Sequence, residues 1–230
     1  MSKLALGTAQ FGLNYGVTNE GGKVQGDEIG KILSVARRGG IRTLDTAMSY
    51  GDAEARLGAF DLSGFQIISK IPDLKNTNKA PQVGILIEES LARLEVDSIY
   101  AVMLHRVSNL GNSDGSKIWE QLQGAKSSGL IQKIGYSLYA PAELDMFFRR
   151  FPADIIQIPL NFLDRRFVTT GWMQSLSNSG VELHARSLFL QGVLLASQPS
   201  GLPQWFSPWI EDLNREFYCI DRKFKNRIAY

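Results

Sequence analysis

The sequence predicts an α/β fold, specifically a TIM-type (β/α)8 barrel whose last β/α unit is missing or incomplete. Short apolar, β-branched runs alternate with helical patterns from residue 4 to residue 185, and such alternation requires a parallel sheet. No Gly-x-Gly-x-x-Gly sequence follows any run, which disfavours the alternative of an open, doubly wound sheet. The 230 residues contain no low-complexity linker, so one domain spanning 1–230 is expected.

Seven strands are predicted, beginning at residues 4, 41, 66, 100, 133, 154 and 181. The first connection, residues 9–25, is rich in Gly and Asn and is expected to be a loop, with room for a small hairpin. Apolar residues spaced i, i+3, i+4 and i+7 between positions 29 and 36 predict a helix. Asp27 is placed to cap the start of that helix, and Gly39 to end it.

The later helices follow from the same spacing. A short helix is expected at 52–57, and longer ones around 83–94, 118–129, 144–148 and 168–176. Beyond the seventh strand, residues 197–208 read as a loop and residues 209–224 as one helix. Only six residues follow, ending in Arg227-Ile-Ala-Tyr230, too few for another strand and helix. An open barrel edge would expose unpaired backbone groups, so a homo-oligomer is one expected arrangement.

Composition excludes several classes of function. The net charge is +2 and no basic cluster is present, which argues against nucleic acid as a partner. Cys219 is the only cysteine and there are two histidines, so no metal site is predicted. The N-terminus has no apolar signal core, and no run reaches the ~18 apolar residues of a membrane span. The expected location is therefore cytoplasmic.

Polar side chains stand where three consecutive strands are predicted to end. These residues are Asp45, Lys70 and His105, and Tyr50 follows five positions after Asp45. Because the carboxyl ends of barrel strands meet at one mouth, where catalytic residues gather, the four side chains are expected to face one another. An isolated Asp–Lys pair is often only structural. Three polar residues at consecutive strand ends, with a fourth just beyond one of them, favour a catalytic site.

The motif Leu44-Asp-Thr-Ala-x-x-Tyr-Gly51, followed by Lys70 and His105 at strand ends, resembles the aldo-keto reductase family. The opening Leu6-Gly-Thr-Ala-Gln-Phe-Gly12 is similar to the family's first strand and turn, and the resemblance covers about residues 3–210. It implies reduction of a small-molecule aldehyde or ketone, with NADPH as the expected cofactor and NADH as the alternative. In the family, the last barrel unit holds the adenosine phosphate of the cofactor.

The four residues suit carbonyl reduction. No amino-acid side chain donates hydride, so a nicotinamide has to supply it. Tyr50 is the candidate general acid, and Lys70 is expected to lower the pKa of its phenol. Asp45 would hold Lys70 in place, and His105 would donate a hydrogen bond to the substrate oxygen.

The resemblance also implies a set of cofactor-binding residues. Ser137 matches one member of a polar pair that contacts the carboxamide, but Leu138 replaces the usual Asn. Arg186 stands where many members have an aromatic residue that stacks on the nicotinamide, and a guanidinium can also stack on a planar ring. The complete set expected to bind the cofactor is Gly7, Thr8, Ala9, Ser137, Gln157, Asn161, Arg186, Ser187, Leu188, Gln191 and Gly192.

Two other functions remain open from the sequence. A non-catalytic barrel would retain the four residues from a catalytic ancestor and would serve in binding or assembly. A barrel lyase or aldolase would use Lys70 as a Schiff-base nucleophile. The lyase requires an unpaired Lys70, whereas Asp45 is expected to pair with it. The sequence identifies neither the carbonyl substrate nor the choice between NADH and NADPH.

Overall fold

A computed structural model of the protein describes residues 3–74 and 82–194. Its seven strands form a single parallel sheet in which each strand pairs with the next along the chain. A doubly wound sheet would reverse its strand order, so the sequential order confirms the barrel-type prediction. The strands are β1 Ala5–Gly7, β2 Thr43–Asp45, β3 Gln66–Ile71, β4 Ile99–Leu104, β5 Ile131–Ser137, β6 Ile155–Pro159 and β7 Glu182–Arg186.

The sheet is strongly curved, as contacts across its concave face show. The Gln157 amide on β6 donates to a carboxylate oxygen of Asp45 on β2, although three strands separate them in the sheet. The Tyr100 hydroxyl on β4 likewise reaches Glu182 on β7. Such contacts require the strands to curl toward one another, as they do in a barrel. The predicted loop at 197–208 and helix at 209–224 lie outside the described residues.

Helices follow most of the strands, and three predictions need correction. Residues 9–25 are not entirely loop, because a short helix forms at Ala9–Gly12. The cap of the next helix is Gln25, and Asp27 lies inside the first turn, where its charge still suits the helix dipole. The helix predicted around 168–176 is divided at Gly171, whose φ is +76°. The helices are α1 Ala9–Gly12, α2 Gly26–Arg38, α3 Ala53–Gly58, α4 Val83–Leu94, α5 Gly115–Ser127, α6 Ala142–Phe147, α7 Arg166–Thr169 and α8 Trp172–Asn178.

The main apolar core lies between the helices and the outer face of the sheet. On α2, the buried residues Ile29, Leu33 and Ala36 follow the helical spacing that the sequence predicts. A smaller cluster of Ile68, Ala101, Met103 and Ile155 fills the concave face. Because side chains on alternate strand positions share a face, Lys70 lies on the same face as Ile68. Within the described residues, no helix is long and apolar enough to cross a membrane.

A buried carboxylate fixes α3 beside the sheet. Glu54 is 2% exposed and accepts hydrogen bonds from the hydroxyls of Ser69 and Ser90, both at 2.6 Å. Arg93 donates to the second carboxylate oxygen at 2.9 Å. These contacts join α3, β3 and α4, and β3 carries Lys70 next to Ser69. The network therefore connects the helix that follows Tyr50 to the strand that carries Lys70.

A second polar cluster joins β4, β5 and β7. The carboxylate of Glu182 accepts from the Tyr100 hydroxyl at 2.6 Å and from the Lys133 ammonium, while His184 Nε2 lies 2.6 Å from its other oxygen. Burial alone would raise the pKa of Glu182, but hydrogen bonds from Lys133, Tyr100 and His184 outweigh it and lower that pKa to about 2. His184 is thus a strand residue with a carboxylate partner.

Glu182→Gln is expected to destabilise the chain near neutral pH and to have progressively less effect in acid. An unfolded Glu has a pKa of about 4.3, so the lowered folded value stabilises the protein above about pH 4.3. That contribution is lost as the pH falls toward 2. Urea unfolding of both proteins at several pH values measures it. The exposed Glu88→Gln control should change stability by less than ~0.5 kcal/mol, and a pH-independent penalty for Glu182→Gln would contradict the prediction.

Candidate active site

Asp45 and Lys70 form a buried ion pair at the carboxyl ends of β2 and β3. The Lys70 side chain is 1% exposed and the Asp45 side chain 19%. The ammonium donates to Asp45 Oδ1 and, at 2.8 Å, to the backbone carbonyl of Thr46. The expected pairing of these two residues is therefore present. Lys70 is the penultimate residue of its strand, because Ile71 continues the pairing with β4.

Asp45 is also held by two residues that the sequence assigns to the cofactor. Gln157 Nε2 donates to Asp45 Oδ2 at 2.6 Å, and Gln157 is itself 2% exposed. Thr8 is fully buried, and its amide and hydroxyl both donate to the Asp45 carbonyl, at 2.9 and 3.1 Å. In this structure Gln157 and Thr8 orient Asp45. Gly7 ends β1 beside Asp45, and Ala9 begins α1.

Tyr50 lies in the turn between β2 and α3. Its ring centroid is 5.3 Å from Lys70 Nζ and 6.0 Å from the His105 ring, with the two rings nearly perpendicular. A Cβ at Gly12 would lie 1.7 Å from the Tyr50 carbonyl oxygen, so only glycine allows α1 to pack against this turn. Gly51, with φ +58°, allows the chain to leave the turn. Tyr50, Lys70 and His105 are thereby brought together.

The pKa of Tyr50 is raised, contrary to the expectation that Lys70 lowers it. Burial is the largest cause, and the charge of Asp45 adds to it. The Lys70 ammonium is directed at Asp45 and at the Thr46 carbonyl, so its charge is already balanced. The phenol therefore stays protonated throughout the neutral range.

His105 directly follows β4 and is neutral at pH 7. Burial lowers its pKa to about 4, and the positive charges of Lys70, Arg106 and Arg186 add to that effect. Its Nδ1 lies 3.1 Å from the hydroxyl of Ser49, a contact that the sequence analysis did not predict. A neutral imidazole can form a hydrogen bond to a bound oxygen, but it carries no charge there.

Arg186 ends β7 and extends across the sheet to the end of β5. Its guanidinium donates to Ser137 Oγ at 3.2 Å, to the Leu138 carbonyl at 2.9 Å and to Ser187 Oγ at 3.3 Å. Its Cζ atom also lies 4.3 Å from the ring centroid of Tyr139. Two of the expected cofactor-binding residues, Ser137 and Arg186, are therefore neighbours in space.

The segment after β7 has an unusual backbone. Ser187, Leu190 and Gln191 all have positive φ values, and so does Gly192 at +94°. A Cβ at Gly192 would lie 1.9 Å from the Thr18 hydroxyl, which instead donates to the Gln191 carbonyl at 3.0 Å. Leu188 is exposed. This segment is therefore fixed against the long connection between β1 and β2.

A cavity of about 300 Å³ opens beside Arg186. It includes three residues that the sequence assigns to the cofactor, namely Asn161, Arg186 and Ser187. Asn161 also shapes the loop after β6, since its Nδ2 donates to the Ser187 carbonyl at 3.2 Å. Tyr139 was not predicted as a site residue, although its place two residues beyond the end of β5 was an available signal. The lining consists of Tyr139, Pro159, Asn161, Leu163, Asp164, Arg166, Arg186, Ser187 and Leu190.

The chain resembles known proteins in both sequence and structure. The sequence model of the Aldo/keto reductase family matches residues 3–216, and a search of curated proteins gave no significant match. A structure from Pseudomonas aeruginosa that is assigned to the aldo-keto reductases is 26% identical, with a TM-score of 0.66, over 80% of this chain and 72% of that one.

Two further structures share the fold at lower identity. Aldo-keto reductase AKR11C1 from Bacillus halodurans, in its holo form, is 21% identical with a TM-score of 0.69, over 88% of this chain and 66% of that one. A Bombyx mori aldo-keto reductase in complex with NADP is 20% identical with a TM-score of 0.63, over 88% of this chain and 67% of that one. Both show that this chain shares the fold of aldo-keto reductase (β/α)8 barrels.

Proposed function

Because the chain belongs to the aldo/keto reductase family, we propose that it reduces an aldehyde or ketone with NADPH or NADH, using Tyr50 as the general acid. The observation that supports this most directly is the convergence of Tyr50, Lys70, Asp45 and His105 at the carboxyl ends of β2 to β4. This end of a barrel is where catalytic residues gather.

The residues around the cavity fit a nicotinamide nucleotide. Arg186 offers a planar guanidinium, Asn161 an amide and Ser187 a hydroxyl, and all three residues line the cavity. Planar cations stack on rings and bind phosphate, while the amide and hydroxyl groups suit polar ring substituents and sugar. When bound, the reduced nicotinamide supplies the hydride that no side chain can donate.

Tyr50 is the proposed source of the proton. Negative charge grows on the carbonyl oxygen during reduction, and the Tyr50 hydroxyl donates its proton to that oxygen, which leaves a phenolate. The raised pKa of Tyr50 keeps this proton available, and an alkoxide is a stronger base than a phenolate. The Lys70 ammonium lies 5.3 Å from the Tyr50 ring centroid but is already paired with Asp45, so it offsets only part of the phenolate charge. Neutral His105 holds the substrate oxygen by a hydrogen bond.

The pairing of Lys70 disfavours the lyase hypothesis. A Schiff-base lysine has to be deprotonated and free to attack, whereas the Lys70 ammonium is 1% exposed and bound by Asp45 and the Thr46 carbonyl. A non-catalytic barrel that has lost cofactor binding is the remaining alternative.

Cofactor binding separates these two possibilities. In a fluorescence titration, the wild-type chain is expected to bind NADPH or NADH saturably, with a dissociation constant in the micromolar range. Asn161→Ala should weaken binding by about tenfold, because it removes one polar partner of about 1.4 kcal/mol. Asn178→Ala, an exposed change on α8, is the matched control and should bind normally. No binding at millimolar cofactor by a folded chain would contradict the proposal.

A further inference from the structure

The ring of Tyr139 is shared by two arginines from different strands. Arg106 Cζ lies 4.1 Å from the ring centroid, and Arg186 Cζ lies 4.3 Å from it. Arg106 follows His105 at the end of β4, and Arg186 ends β7. The curvature of the sheet thus holds two cations close together at the mouth where Tyr50 and His105 stand.

Neither arginine has a carboxylate partner in the part of the chain that the structure describes. Arg186 donates to the neutral oxygens of Ser137, Leu138 and Ser187. Arg106 is exposed, and within 3–74 and 82–194 no protein acceptor takes a hydrogen bond from its guanidinium. Neither positive charge is therefore neutralised by a direct ion pair within the described residues, although the charge of Arg186 also acts on Asp164.

The nearby carboxylates are engaged elsewhere. Asp164, on the cavity wall, accepts from Arg166 Nε and Nη2 at 2.9 and 2.8 Å. Glu143 accepts from the backbone amides of Tyr139 and Ala140 at 2.6 and 3.0 Å. Asp45, whose charge also acts on His105, is bound by the Lys70 ammonium.

Such an arrangement favours an anionic ligand. Two guanidinium groups on one ring repel each other, and an anion between or beside them offsets that repulsion. Guanidinium donors match the geometry of carboxylate and phosphate oxygens, and stacking on an aromatic ring orients the donors without using them. Because its guanidinium donors are exposed, Arg106 can receive a ligand without breaking a contact among the described residues.

We propose that Arg106 and Arg186, aligned on the Tyr139 ring, bind an anionic group of the substrate, so that the carbonyl compound carries a carboxylate or a phosphate. The inference rests on the proposed reductase function, because it places this anion beside the oxygen that His105 would hold. Arg106 contributes most to the choice of substrate, since Arg186 is also expected to contact the cofactor.

Matched substrates test the inference by activity. The wild-type chain is expected to reduce 4-carboxybenzaldehyde with a kcat/KM at least about tenfold higher than that for the neutral 4-carbamoylbenzaldehyde, as charge-assisted bonds are the stronger ones. Arg106→Gln should bring this ratio close to one, and Arg106→Lys should restore part of it. The exposed Arg38→Gln change on α2 is the control and should keep the wild-type ratio. An unchanged ratio in Arg106→Gln would overturn the proposal.

Equilibrium binding tests it without turnover. Titration calorimetry of the cofactor-free chain should show binding of 4-carboxybenzyl alcohol, weaker binding of the neutral 4-carbamoylbenzyl alcohol, and loss of the difference in Arg106→Gln. That result on a chain without reductase activity would support the anion site and refute only the proposed function. If Arg106→Gln weakens NADPH binding but leaves the preference between the alcohols unchanged, the anion belongs to the cofactor and the inference fails.

Discussion

Lys70→Met is expected to destabilise the chain by about 3–5 kcal/mol, because it leaves a charged carboxylate without its buried partner. Lys70 is 1% exposed and Asp45 is 19% exposed, so water can replace the ammonium only in part. The Gln157 amide would remain on Asp45, but it carries no compensating charge. Urea unfolding followed by circular dichroism measures the loss.

Two further variants show whether the charge is responsible. Asp45→Asn combined with Lys70→Met removes both charges, so it should recover most of the lost stability while remaining inactive. Lys31→Met breaks a pair whose lysine side chain is 66% exposed, and it should cost less than ~1 kcal/mol. If Lys70→Met costs no more than Lys31→Met, the description of a buried, mutually dependent pair is wrong.

Tyr50→Phe is expected to lower turnover by about 10²–10⁴-fold, the range in which a positioned general acid contributes. The change removes the proton donor but no hydrogen bond among the described residues, so stability and NADPH binding should stay near wild type. Steady-state oxidation of NADPH in the presence of an aldehyde measures the effect.

Tyr136→Phe is expected to lower stability but not turnover, the opposite of Tyr50→Phe. The Tyr136 hydroxyl is buried and donates to the Phe151 carbonyl at 3.2 Å, away from the proposed site. Its removal should cost about 0.5–1.5 kcal/mol of stability and leave turnover unchanged. Equal losses of activity in the two tyrosine variants would contradict a specific role for Tyr50.

The strand positions could be predicted because each strand has a distinct apolar run. Helical spacing likewise located α2 and α4, since their buried faces repeat at i, i+3 and i+4. The short α1 was missed because Ala9 to Gly12 is a single turn with only Phe11 buried. The division at Gly171 depends on one left-handed residue, which apolar spacing does not detect.

Contacts between residues at neighbouring strand ends could be predicted from the sequence. Contacts that depend on the curvature of the sheet could not. Asp45 ends β2 and Lys70 lies one residue before the end of the neighbouring β3, so their contact follows from a parallel sheet. The contact of Arg106 and Arg186 with Tyr139 joins three separate strand ends, and only the curled sheet reveals it. The raised pKa of Tyr50 depends on burial, which its local sequence does not encode.

Transfer of deuterium from the cofactor to the substrate carbon would show directly that the chain reduces a carbonyl with Tyr50 as the general acid. NADPH carrying deuterium at the transferring position of the nicotinamide would be incubated with 4-carboxybenzaldehyde and wild-type chain, and the alcohol analysed by mass spectrometry. We expect one deuterium on the alcohol carbon for each cofactor oxidised, and at least about a hundredfold slower labelling in Tyr50→Phe. Absence of labelled alcohol from a folded wild-type chain that binds NADPH, or equal labelling rates in the two proteins, would contradict it.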